Sequence, residues 1–273
     1  MKTGYVEGRS VAIEFRFAHN EYDRLPALAA DLVRGRVAVI ATGTTNATLA
    51  AKAATTTIPF VFNGAVDPVQ AGLVASLNRP GRNVTGVNSM SGELGAKRLA
   101  LLHELLPRAE RFAYLTSTTS PTKDSALTDV QAAASTFGRQ IEILYADTNR
   151  EIDTAFESLV QKRIDALLVS ESPRFQQRRV QVAALAAHHR VPAIYADREI
   201  ALAGGLMSYG PDLADAVRQS GVYVGRILKG EKPADLPVMR ATKFEFIINV
   251  HAAKLLSLIF PPGLLALADE VIE

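Results

Sequence analysis

Arg111-Phe112-Ala113-Tyr114-Leu115, followed by Thr116-Ser117-Thr118-Thr119-Ser120-Pro121, is the stretch that decides the fold class. After Arg111, Phe112 to Leu115 run apolar without alternation, the pattern of a strand covered on both faces rather than one. Ser120-Pro121 then offers a capping hydroxyl and a proline preset for the first helical turn. Strand, polar turn and capped helix make one βα unit. Working outward, the unit recurs: Val37–Ala41 runs into Thr44-Thr45-Asn46, Ala166–Val169 into Ser172-Pro173, and Ser208-Tyr209-Gly210 into Pro211-Asp212. Further strands are expected at Val11–Phe17, Pro59–Phe62, Ile141–Tyr145, Pro192–Ala196 and Phe244–Asn249. Helical stripes lie between them, at Leu94, Arg98, Leu101, Leu102 and Leu105 and again at Leu213, Val217, Val224 and Leu228, both read as core. Alternation of this kind specifies an α/β fold with doubly wound parallel sheets.

Length and composition narrow the organisation. At 273 residues the chain is sized for two lobes or one large α/β domain. Apolar residues at 48% and charged residues at 21%, with 18 Gly and 13 Pro, exclude disorder, collagen and coiled coil. Thirty basic against 28 acidic residues leave a formal charge of +2, and no dense Lys/Arg block invites nucleic acid or anionic lipid. A small polar or neutral partner fits better. Cysteine is absent, which removes disulfides, thiolate metal sites and Cys nucleophiles together and leaves the compartment open. Met1-Lys2-Thr3-Gly4-Tyr5-Val6-Glu7 carries no apolar region of the signal-peptide type, and the most apolar stretch, Phe244 to Ala268, is interrupted by Glu245, His251, Lys254 and Pro261-Pro262.

Enzyme chemistry finds no motif. No G-x-G-x-x-G or Walker-type loop occurs, and the nearest approach to a nucleophile elbow, Leu206-Met207-Ser208-Tyr209-Gly210, has Leu where the first Gly is needed. His19, His103, His188, His189 and His251 do not fall at metal-ligand spacing. Asp212/Asp215 and Asp269/Glu270 sit near helix ends, where capping explains them. No cofactor and no metal are expected.

Several longer stretches carry more than pattern. Ile58-Pro59-Phe60-Val61-Phe62, Asp67-Pro68-Val69, Gly72-Leu73-Val74 and residues 77–86 come first, followed by Gly204-Gly205-Leu206-Met207-Ser208-Tyr209-Gly210-Pro211-Asp212. A C-terminal block adds Ile227-Leu228-Lys229-Gly230, Lys232-Pro233, Asp235-Leu236-Pro237-Val238, Lys243-Phe244-Glu245-Phe246, Ile248-Asn249 and Ala268-Asp269-Glu270-Val271-Ile272. Together they resemble the tryptophan/tyrosine-type family of ABC-transporter substrate-binding proteins. The resemblance implies a periplasmic-binding-protein fold, type I-like: two α/β lobes, three crossovers and a ligand cleft between them. It implies lobe one over residues 1–88 plus 210–234 and lobe two over 89–209 plus 235–273, with crossovers near Asn88–Ser91, Ser208–Pro211 and Glu231–Val238. It also implies delivery of the ligand to an ABC permease, and a periplasmic location for the full-length family member.

In open α/β sheets ligands bind at the carboxyl ends of strands. The candidate ligand-binding residues are therefore Thr44, Thr45 and Asn46, Asn63 and Asp67, Asn88, Ser117 and Ser120, Ser170 and Glu171, Asp197 and Arg198, and Tyr209. For an amino-acid-like ligand, a helix N-terminus or Arg198 is expected to take the carboxylate, and Asp67, Asp197 or Glu171 the ammonium. Against this stands a plain reading of Asp67 as a helix cap and Arg198 as a surface ion pair. Aromatic amino acids are one expectation, yet the chain has no Trp and only Phe62, Phe175, Tyr195 and Tyr209 near strand ends.

The sequence departs from the resemblance at its start, where the signal or anchor and the first strand and helix of the family pattern are missing. That strand would lie between Val11–Phe17 and Val37–Ala41. The expectation is a fragment or a start placed too far downstream, with lobe one weakened or completed by homodimer or swapped association. Two other classes compete with a solute receptor: a sensor domain on the same fold, which a DNA-binding or transmembrane segment would favour, and an α/β epimerase, racemase or hydrolase, which a Cys pair, elbow or phosphate loop would favour.

Overall fold

The computed structural model describes residues 4–19, 21–90 and 94–273. In chain order its regular elements are α1 (Leu25–Arg34), β1 (Ile40–Thr42), α2 (Thr45–Ala54), β2 (Phe60–Gly64), β3 (Val84–Asn88), α3 (Gly95–Leu105), β4 (Arg111–Thr116), α4 (Lys123–Thr136), β5 (Gln140–Tyr145), α5 (Asn149–Gln161) and β6 (Ala166–Val169). There follow α6 (Pro173–Gln177), α7 (Arg179–His188), β7 (Ala193–Tyr195), α8 (Arg198–Leu202), β8 (Met207–Pro211), α9 (Leu213–Leu228), β9 (Met239–Arg240), β10 (Phe244–Asn249), α10 (Val250–Leu255), α11 (Pro262–Leu267) and β11 (Glu270–Ile272). Strands β4 and β6 lie where continuous apolar runs place them, and β10 over the expected Phe244–Asn249. The chain divides into two compact units, residues 1–90 with 212–243 and residues 91–211 with 244–273.

In the first unit, β1-β2-β3-β9 form a four-stranded parallel sheet. One face buries Ile40, Phe60, Phe62, Leu73 and Val84. The other packs Val61 against Tyr223, Ile227 and Leu236. Gly86 is required here: a Cβ on it would lie 2.2 Å from the Phe62 carbonyl oxygen and 2.6 Å from its ring. Residues 235–243, expected with the second lobe, group with this unit, because β9 pairs with β3 and Thr85 Oγ1 donates to the Leu236 carbonyl at 2.7 Å. The last passage of the chain between units thus falls at Lys243/Phe244, not within Glu231–Val238. Of the first expected crossover, Ser91 lies outside the described residues.

Val11–Phe17 is not a strand. Val11 makes one isolated bridge to Glu7, and among the described residues the rest of the segment joins no ladder. Alternation of Val11, Ile13, Phe15 and Phe17 suits a strand face, but a strand also needs a neighbour to take its amides. Phe15 and Phe17 stack on each other 5.8 Å apart and remain 60% and 63% exposed. On α9 the buried residues are Ala216, Tyr223, Gly225 and Ile227, while Val217 is exposed, so the core stripe is rotated from the one read in the sequence.

In the second unit, β11-β10-β8-β7-β6-β4-β5 form a seven-stranded sheet, parallel throughout except where β8 meets β10. Large apolar cores cover both faces, one centred on Leu102, Phe112, Leu168 and Ile248, the other on Phe156, Val169, Phe175 and Tyr195. This is why β4 and β6 read as unbroken apolar runs.

Candidate functional site

Each unit gathers polar residues at the carboxyl ends of its parallel strands. In the first, Thr44, Thr45 and Asn46 follow β1, Asn63 and Asp67 lie at and beyond the end of β2, and Asn88 closes β3. Much of this polarity is already used. Thr44 Oγ1 accepts from the Ala47 amide at 3.2 Å and caps α2. Asp67 Oδ1 accepts from the Val69 and Gln70 amides at 2.8 and 2.9 Å and closes a turn; among the described residues no helix follows it to be capped. Asn88 Oδ1 accepts from the Met90 amide at 2.8 Å, whereas its Nδ2 is buried with no hydrogen-bond partner among the described residues. Thr45 and Asn63 are buried and Asn46 is half-buried.

The second unit differs in holding charge below its surface. Asp197 follows β7 directly and is 5% exposed; Glu171 follows β6, and Ser170 beside it donates to Thr116 Oγ1 at 3.2 Å. From α3 the Arg98 guanidinium, 2% exposed, donates through Nε to the Tyr209 carbonyl on β8 at 2.7 Å. Arg98 lies within charge-interaction range of Tyr114, Glu171, Asp197 and Tyr209. Burial pushes the Arg98 pKa down, against the upward pull of these neighbours. Burial likewise pushes the Asp197 carboxyl up, to about 7, with the Glu171 charge adding to the rise, Arg98 opposing it and Glu199 adding a little more. Tyr114 is also raised, by burial first, despite Arg98, Ser170 and Thr116.

Other candidates are occupied. Arg198 donates to Glu245 Oε1 at 2.7 Å and to Glu270 Oε2 at 2.9 Å, so its guanidinium is held in ion pairs and is not presented to a ligand carboxylate. Ser117 and Thr118 both donate to Asp147; burial raises this carboxyl, but those hydrogen bonds outweigh it and hold Asp147 below the usual range. Ser120 does not cap α4, whose N-cap is Thr122; the two hydroxyls lie 3.1 Å apart. Ser172 and Asp212 do cap α6 and α9. Tyr209 stacks on Phe244 at 6.3 Å and meets Phe246 edge-on. The structure thus brings Ser170, Glu171, Asp197 and Tyr209 together and adds Arg98, Tyr114 and Thr116, which sequence reasoning missed. Arg98 was legible as a cation on the Leu94–Leu105 apolar stripe.

One depression in this unit, lined by Glu110, Arg111, Gly138, Gln140 and Lys162, opens at the amino ends of β4 and β5, away from these groups. Among the described residues no cluster of His, Asp or Glu is arranged to hold a metal ion, and no helix is long and apolar enough to cross a membrane.

The model of the ABC transporter substrate binding protein family matches residues 1–272. The chain belongs to that family. Families of this kind bind substrates rather than convert them, and ABC substrate-binding proteins are typically extracytoplasmic. The chain is 28% identical to a tyrosine-binding protein of Clostridioides difficile over 255 residues, 93% of this chain and 73% of that one. Among solved structures, a conserved domain protein from Vibrio cholerae superposes with a TM-score of 0.91 at 25% identity, covering 98% of this chain and 90% of that one. An ABC domain from Streptococcus pneumonia, solved with L-Trp, has a TM-score of 0.86 at 24% identity, covers 96% and 90% of the two chains, and bears on the fold alone. The family assignment makes this an ABC substrate-binding protein of the periplasmic-binding-protein fold.

Proposed function

We propose that this substrate-binding protein is the periplasmic solute receptor of an ABC importer, taking an amino-acid-like ligand of the aromatic class and handing it to a permease. The single observation that carries the reading is the group of buried Arg98 and Asp197 with half-buried Glu171 at the strand carboxyl ends, in a chain whose family binds solutes. Charges below the surface are costly unless something compensates them, and a binding protein places them where a charged ligand does so. The relative named for tyrosine supports the aromatic choice. A thermal-shift screen against the amino acids tests this, because a ligand bound only by the folded state raises the melting point by mass action. Tyrosine or tryptophan is expected to give the largest shift; conversion of any bound compound contradicts the reading.

Self-association is the second element of the proposal. Among the described residues the three-residue β1 ends the first sheet with an unpaired edge, and Val11–Phe17 joins no ladder and exposes Ile13, Phe15 and Phe17. Such edges recruit strands, and a second copy of the chain supplies one. Light scattering is expected to show a dimer, and Phe15→Lys with Phe17→Lys to return it to monomer.

A further inference from the structure

We infer that the depression at the amino ends of β4 and β5 is a second binding site, for a phosphate-type oxyanion, with Arg139 as the residue that grips it; the inference does not depend on the receptor reading. Three turns meet there. Glu110-Arg111 leads into β4, Gly138-Arg139 leads from α4 into β5, and Lys162 to Ile164 leads from α5 towards β6. The second turn needs its glycine: Gly138 has a φ of +65°, its amide donates to the Ser135 carbonyl at 3.0 Å, and the Arg139 amide donates to the Ala134 carbonyl at 3.0 Å. The helix stops there and Arg139 follows it into the lining of the depression. A Cβ on Gly138 would meet nothing within 4 Å, so the space beside Arg139 is open.

Cations at this end of the sheet have a plain structural use, because α4 and α5 both finish here and helix C-termini attract positive charge. Two of the three are used in that way. Arg111 donates through Nη1 to the Lys162 carbonyl at 3.0 Å, and Lys162 Nζ pairs with Glu142. Arg139 is not. Its Nε is sealed from solvent without an acceptor, and among the described residues no other arginine has a guanidinium nitrogen in that condition. A donor hidden from water and left without an acceptor is costly, and the planar fork of a guanidinium matches the oxygens of a phosphate. With Lys162 and Glu142 paired, the lining sets Arg111 and Arg139 against Glu110, one positive charge in excess. The neighbouring Asp165 accepts from the Glu110 and Arg111 amides, both at 2.9 Å. An oxyanion meets the sealed donor and removes the excess; a cation would do neither.

Arg111 and Gln140 are register partners, so Arg139 enters one residue before that pair, at the opposite end of β4 and β5 from Ser117 and Asp147. Six residues of strand separate the two ends, about 20 Å, more than one amino-acid-sized solute spans.

Thermal melts of the full chain in sodium phosphate, against sodium chloride of equal ionic strength, test the site, with Arg139→Gln and Arg139→Lys measured alongside. Phosphate at about ten times its dissociation constant is expected to raise the melting point of the unchanged protein by about 3 °C more than that of Arg139→Gln. The general salting effect of phosphate acts on both forms alike and cancels in that difference. Isothermal titration is expected to show one phosphate per chain, weakened about tenfold or more in Arg139→Gln and less in Arg139→Lys, which keeps the charge and loses the fork. Without phosphate Arg139→Gln is expected to melt no lower than the parent protein, since no contact within the chain is lost; a lower melting point would give Arg139 a structural role and overturn the site. Flotation with phosphatidylcholine vesicles, with and without phosphatidylglycerol, identifies the source of the oxyanion. Binding to the anionic vesicles alone, lost in Arg139→Gln, assigns it to a lipid headgroup; phosphate binding without vesicle binding assigns it to a free anion. Equal phosphate shifts in the parent protein and Arg139→Gln, or no response to either probe, overturn the inference and leave the receptor reading untouched.

Discussion

The two units build the same motif and use its polar ends differently. In the first, side chains at the carboxyl ends of β1 to β3 mostly serve the backbone: Thr44 caps α2, and Asp67 and Asn88 close turns. In the second, a seven-stranded sheet covered on both faces holds Arg98, Glu171 and Asp197 within reach of one another. A thin sheet with an open edge has little low-dielectric volume in which to hide charge. A sheet flanked by two large cores can hold it, and there each charge weighs heavily on stability and on binding.

The largest effect expected to sharpen this contrast is at Arg98. Arg98→Ala leaves two carboxylates facing each other without their cation and is expected to destabilise the second unit by about 3–5 kcal/mol, read as a separate early transition in calorimetry. A loss below about 1 kcal/mol would mean the cluster is not the charged interior described.

Asp197→Asn follows, with a sign fixed by linkage. The folded carboxyl titrates at about 7, above its unfolded value of 3.8, so the folded state binds the proton more tightly. The stabilisation is complete below about pH 4 and is lost as pH rises through 7, at up to about 1.4 kcal/mol per pH unit between. The variant should match the parent protein at pH 4 and exceed it at pH 8, in urea melts at both values. A parent protein whose stability rises between pH 5 and 7 by the same amount in both forms would break the account.

Gly86→Ala and Gly210→Ala compare the two sheets directly. The added Cβ would approach the Phe62 carbonyl of β2 to 2.2 Å in the first and the Ala196 carbonyl just after β7 to 2.0 Å in the second. Each is expected to cost about 1–3 kcal/mol, in the unit that carries it, and limited proteolysis should cut that unit first. The smallest effect belongs to the first unit's caps: Thr44→Ala should cost about 1 kcal/mol through loss of the bond to Ala47 and leave L-tyrosine affinity within about twofold.

How much of this was legible depended on whether a feature is local. Ala166–Val169 was readable to the residue because a strand buried on both faces needs an unbroken apolar run, and Phe244–Asn249 because Phe246 to Ile248 mark its buried part. Val84-Thr85-Gly86-Val87-Asn88 was missed as a strand; its Gly weakens any propensity argument, and the reason for that Gly is the Phe62 backbone on the next strand. Val11–Phe17 failed in the opposite direction, for its alternation is local while a ladder partner is not. At the site, Asp197, Glu171, Ser170 and Tyr209 were reachable from strand ends alone. Arg98 comes from a helix, and only packing reveals that a charged residue on a leucine stripe donates to the Tyr209 carbonyl within charge-interaction range of the carboxylates. Arg198 was equally plausible by position, and what disqualifies it, Glu245 and Glu270, arrives from 47 and 72 residues away.

The most direct test of the receptor account is a titration of the full chain with L-tyrosine and L-tryptophan at pH 8, with the ligand recovered afterwards and weighed by mass spectrometry. The account predicts saturable binding of one ligand per chain and unaltered ligand. Absence of saturable binding for every amino acid, or recovery of a chemically changed compound, would contradict it.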